Sequence, residues 1–119
     1  MKKLLFIVCC IVILYILYII KNTVQTYKLK IHIYHMPNCK HCYNLMYNAD
    51  KGKTHYMQIV DAYKTDPQVE IKDFLYGRDS DAEKYNAFPV ILFTKDDKEI
   101  EYHGPHTADK IIEAANKLL

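Results

Sequence analysis

Two cysteines separated by two residues, Cys39 and Cys42, stand where the chain passes from a strand pattern to a helical one. Before them, Leu29, Ile31 and Ile33 alternate with Lys30 and His32, so the run to Tyr34 reads as a strand with one buried face. After them, the stretch from Tyr43 to Lys64 can begin as a helix. A cysteine at a helix start meets unsatisfied backbone N–H groups and the positive end of the helix dipole, both of which favour thiolate over thiol. The pattern therefore predicts a redox-active disulfide, with Cys39 as nucleophile and Cys42 as its resolving partner.

The rest of the chain supplies a complete small domain. Cys42 to Lys64 reads as helical, with Leu45, Met46 and Ala49 on one face and Tyr56, Ile59, Val60 and Tyr63 continuing at helical spacing; Gly52 is the expected kink or break. Asp66-Pro67 is a stop. Val69 to Tyr76 reads as a second strand ended by Gly77, and Asp79 to Tyr85 as a short polar helix capped by Asp79 or Ser80. Phe88 to Thr94 contains Val90-Ile-Leu-Phe93, an unbroken apolar run that fits a central strand covered on both faces. After a turn at Lys95–Lys98, Glu99 to His103 alternates, with Ile100 and Tyr102 as buried candidates. Thr107 caps a final helix, Ala108 to Leu118, striped by Ile111, Ile112, Ala115 and Leu118. The order strand, helix, strand, helix, strand, strand, helix implies an α/β fold with a mixed central sheet flanked by helices.

A second apolar feature precedes the domain. Leu4 to Ile20 is an apolar run of about seventeen residues, just enough to cross a thin bilayer as a helix. No Ala, Gly or Ser lies between Cys10 and Thr26, so the small-residue cleavage site of a signal peptide is missing. The expectation is an uncleaved signal anchor at 1–21, a linker at 22–26 and a domain at 27–119. Cys9 and Cys10 fall inside the anchor and read as lipid-facing or helix-contact residues. Lysines flank both ends, and the soluble part is expected on the luminal or extracytoplasmic side, or in a virion membrane. Plentiful Lys, Tyr, Ile and Asn with no Trp fits an AT-rich genome, such as that of a large DNA virus.

Charge is nearly balanced, with 16 basic and 14 acidic residues and no basic cluster, which argues against nucleic acid as a partner. Two cysteines beyond the anchor are too few to staple a secreted fold, so a lone close pair points to redox or metal chemistry. His35, Cys39, His41 and Cys42, with Met36, contain the atoms for a zinc or copper site, but the spacing matches no closed zinc motif.

In three places, in order, the chain resembles the thioredoxin superfamily. These are Cys39-Lys-His-Cys42 after the first strand, Phe88-Pro89-Val90 opening the third, and Glu101-Tyr-His-Gly-Pro-His-Thr107 leading into the last helix. It looks most like a single catalytic domain of a protein disulfide isomerase. The resemblance implies a cis peptide before Pro89, beside the disulfide, with Phe88 and Pro89 contacting substrate. It implies thiol–disulfide exchange on protein cysteines, recharged by glutathione or an upstream thiol oxidase, with no organic cofactor. His41 beside the thiolate stabilises the reduced form and so makes the disulfide more oxidising; in the family, His before the second Cys is typical of oxidases and isomerases. A thioredoxin-like reductase, or a tethered peptide-binding module without turnover, are the alternatives. The chain also departs from the family. Asn38 stands where Trp is usual, Ile33 where an acid is often buried, and His106 where many isomerases have Arg. His35 and His106 are then the candidate proton acceptors for the resolving step.

Overall fold

The computed structural model describes residues 1–23, 26–50 and 52–119. Val24 and Gln25 of the expected linker, and Lys51 of the expected kink, lie outside the described residues. Helix α1 (Lys2–Thr23) carries the apolar run and is long and apolar enough to cross a membrane.

Four strands form the main sheet: β1 (Leu29–His35), β4 (Val69–Leu75), β5 (Val90–Lys95) and β6 (Lys98–Tyr102), in the order β4-β1-β5-β6. β1 and β4 are parallel, in a register that sets Ile33 beside Asp73 and His35 beside Leu75. β5 runs antiparallel to both β1 and β6. The β5–β6 turn puts Asp96 at φ 51° and Asp97 at φ 62°, the left-handed pair that a two-residue hairpin requires.

Alternation along β1 and β5 splits the core in two. On one face Leu29, Ile31, Ile33, Ile91 and Phe93 pack under three helices, α2 (Lys40–Met46), α3 (His55–Tyr63) and α4 (Ala108–Asn116). On the other, Tyr34, Phe74, Val90 and Leu92 meet a 3-10 turn, Ser80–Lys84, through the fully buried Ala82. Val90-Ile-Leu-Phe93 is continuously apolar because both of its faces are covered.

Three local expectations are corrected. The stretch from Cys42 to Lys64 is two short helices, not one kinked helix. Gly52, at φ 86°, turns the chain back and a small hairpin of β2 (Ala49–Asp50) and β3 (Lys53–Thr54) intervenes. Ala49 is therefore exposed instead of lying on the helical face, and Thr54 Oγ1 starts α3 afresh by accepting the Met57 N–H at 3.0 Å. Ile100 is 44% exposed, because β6 is the outer strand and α4 leaves its rim open; Tyr102 is half-buried against Phe93. Thr107 holds the N-cap position of α4 but makes no capping bond with its side chain. His55 Nδ1 accepts the Ala108 N–H instead, at 3.1 Å.

Candidate active site at Cys39 and Cys42

β1 ends at His35, and Met36-Pro37-Asn38 turns the chain up into α2. Asn38 takes φ 61°, a left-handed conformation that Asn tolerates better than most residues. Cys39 follows with extended backbone as the N-cap of α2, and its Sγ accepts the Cys42 N–H at 3.3 Å. One of the orphan donors of the helix thus already points at the sulfur that would carry charge after reduction. Cys39 and Cys42 form a disulfide with Cα atoms 5.2 Å apart. Cys42 is 1% exposed while Cys39 is partly open, so an incoming thiol has access to Cys39.

The segment before β5 closes one side of the pair. The Phe88–Pro89 peptide is cis, and the Phe88 carbonyl oxygen lies 3.6 Å from Cys39 Sγ. The Phe88 ring packs edge-on to Tyr76 and against the smaller core cluster. On the other side of Cys39, Met36, Pro37, Lys40, Tyr43 and Tyr47 line a depression of about 400 Å³.

No family model matches the chain, and no curated protein does. Among solved structures it is similar to Fasciola hepatica thioredoxin, at 18% identity and a TM-score of 0.57, covering 80% of this chain and 85% of that one. It is similar to the first thioredoxin domain of mouse protein disulfide-isomerase A4, at 19% identity and a TM-score of 0.60, covering 83% and 69%. The first two thioredoxin domains of Naumovozyma dairenensis Eps1p match at 19% and 0.61, this chain covering 35% of that longer one and 78% of itself being covered. The chain has the thioredoxin fold.

Within that fold, His41 sits exposed in the first turn of α2, next to Cys42 in sequence, with its ring 6.3 Å from that of His106. Burial, and then the proximity of His41, hold His106 below the ordinary histidine range. His41, His55 and His106 line one polar hollow with Asn44 and Asn48. Even so, among the described residues no three His, Cys, Asp or Glu side chains converge to hold a metal ion. The suggested metal set is dispersed: Cys39 and Cys42 are bonded to each other, His41 faces His106, and His35 is engaged elsewhere.

His35 is the residue whose setting the sequence revealed least. It is 1% exposed, and its Nε2–H donates to Asp73 Oδ2 at 2.9 Å across the parallel β1–β4 pair. Its Nδ1 is buried without a partner. Asp73 also receives Arg78 at 3.3 Å. Partial burial would raise the carboxyl, but the His35 and Arg78 hydrogen bonds outweigh it and hold Asp73 below the usual range. Burial first, and then the Asp73 charge, push the Tyr56 phenol up. Asp73 carries no motif of its own. Its link to His35 exists because the parallel register places it beside Ile33, two residues from His35 and on the same face of the sheet.

Proposed function

We propose that this protein is a membrane-anchored thiol–disulfide oxidoreductase of the oxidase or isomerase type, acting on protein cysteines. A thioredoxin fold with a Cys-x-x-Cys disulfide supports thiol–disulfide exchange in general. The observation that carries the assignment to this site is the asymmetry of the pair: Cys39 open at the N-cap, Cys42 buried behind it.

In the oxidising direction a substrate thiolate attacks Cys39 Sγ. The Cys39–Cys42 bond breaks, its electron pair leaves on Cys42, and a mixed disulfide joins substrate to Cys39. A second substrate thiolate then displaces Cys39, leaving the substrate oxidised and the enzyme a dithiol. In reverse, the Cys39 thiolate attacks a substrate disulfide and Cys42 resolves the adduct. The Cys42 N–H stabilises charge on Cys39; in this reading the imidazole of His41, on the same turn, would add a second donor. Phe88 and Pro89 flank the sulfur, where an extended substrate backbone would lie. Glutathione or an upstream thiol oxidase would recharge the disulfide. Helix α1 would hold the domain at a membrane, on the luminal or extracytoplasmic side or in a virion membrane.

The test is the redox equilibrium of the full chain in detergent, titrated against glutathione buffers. A potential of about −180 mV or higher supports the oxidase or isomerase assignment. A potential near about −270 mV would reassign the protein as a tethered reductase. Failure to form a reversible disulfide would end the enzyme reading.

A further inference from the structure

Tyr43 and Tyr47 stand one helical turn apart at the outer side of α2 and its C-cap, and both face solvent, at 58% and 56% exposure. Their ring centroids are 6.1 Å apart at an interplanar angle of 42°, within the range at which aromatic rings attract each other. They border the depression that also contains Cys39, with Met36 and Pro37 on its other wall. Tyr47 meets the buried His35 ring edge-on at 6.0 Å, yet more than half of each tyrosine stays open to solvent beside the sulfur. They supply contact area at low entropic cost, since each has few torsions to freeze.

We propose that this depression is a specificity subsite, taking an aromatic side chain next to the cysteine of an extended protein substrate. The inference rests on the exchange chemistry proposed above, because that chemistry fixes where the substrate must be. Once a substrate sulfur is bonded to Cys39, the neighbouring residues begin about 3.8 Å along the chain from the substrate cysteine. On one flank they meet the Phe88 carbonyl. On the other they meet the depression, whose volume of about 400 Å³ leaves ample room for an aromatic side chain. Ring-on-ring contacts with Tyr43 and Tyr47 and a thioether contact from Met36 favour an aromatic side chain over a small one. Lys40 is the one charged side chain of the lining, and its ammonium adds a cation for the ring face.

The experiment uses the full chain in detergent with Cys42→Ser, reduced at Cys39. The probes are peptides with one cysteine capped by glutathione and flanked on both sides by Phe or by Ala. The Cys39 thiolate attacks the peptide sulfur, the peptide–glutathione bond breaks, and glutathione leaves as its thiolate. The rate of the peptide–protein adduct is read by intact mass. The Phe-flanked peptide is expected to react about five-fold faster than the Ala-flanked one. That ratio should fall to about one on adding Tyr43→Ala and Tyr47→Ala, and survive Tyr43→Phe with Tyr47→Phe, which keep the rings. Equal rates for the two peptides, or a ratio indifferent to loss of both rings, would overturn the subsite alone. No adduct from either peptide would overturn the exchange chemistry and the subsite together.

Discussion

The buried His35–Asp73 pair offers a sharp energetic test. Replacing Asp73 with Leu removes the acceptor of a donor that is fully out of water, because His35 is 1% exposed and its Nε2–H has Asp73 as its partner at 2.9 Å. An unsatisfied buried donor costs about 1–3 kcal/mol, and the lost Arg78 contact adds little because Arg78 is largely exposed. At about 4–8 °C per kcal/mol for a domain of this size, Tm should fall by roughly 4–24 °C. His35→Phe should cost less, since it also removes the buried, unpartnered Nδ1. The double variant His35→Phe/Asp73→Leu should be more stable than Asp73→Leu alone, because it also removes the buried His35 donor and leaves only the half-buried Tyr56 hydroxyl to find a new partner. The pH dependence has a definite sign. The folded carboxyl lies below its unfolded value of about 3.9, so its contribution is present above that pH and lost as pH falls through the lower folded value. The gap between wild type and Asp73→Leu should therefore hold from neutrality to about pH 5 and close in stronger acid. Thermal melts of the full chain, followed by near-UV circular dichroism across pH, read all four proteins. A double variant that loses the sum of the single losses would refute the argument, as would an Asp73→Leu protein that melts with wild type.

Other perturbations follow from the same geometry. Cys39→Ser should abolish thiol–disulfide exchange, whereas Cys42→Ser should still attack substrate disulfides through Cys39 and accumulate mixed disulfides, visible on non-reducing gels. His55→Ala should lower stability by about 1 kcal/mol, measured by urea unfolding, because the Ala108 N–H at the start of α4 loses its acceptor. Asp97→Gly should raise stability by about 0.5–1 kcal/mol in the same assay, since glycine adopts the left-handed turn conformation without a Cβ penalty.

Much of this architecture was legible because it is written in local patterns. β1, β4 and β5 follow from alternation or a continuous apolar run, and the site follows from two cysteines at a strand-to-helix junction. What escaped was non-local or a matter of edges. The apolar spacing of Leu45 and Met46 continues convincingly into Tyr56 and Ile59, so the hairpin between them was visible only as Gly52, with Thr54 as an unused capping signal. Ile100 alternates as a buried residue should, yet alternation does not say which strand ends up outermost. Asp73 joins His35 through a register between strands whose pairing no short stretch of sequence encodes, and His55 reaches α4 across 53 residues of chain.

The hairpin between α2 and α3 has a mechanical consequence. When the disulfide is reduced, its two sulfurs must part from bonding to contact distance, and the turn that carries Cys42 has to yield. A helix running unbroken to Tyr63 would pass that displacement to Ile59 and Tyr63, which are anchored in the core, with Tyr63 also tied to Asn116 at 2.7 Å. Here α2 is seven residues long and ends before the hairpin, and Leu45 and Met46 seat it in the core independently of α3. The adjustment around the sulfurs can then stay within the first turn of α2, ahead of Leu45, with α3 and the sheet as its fixed frame.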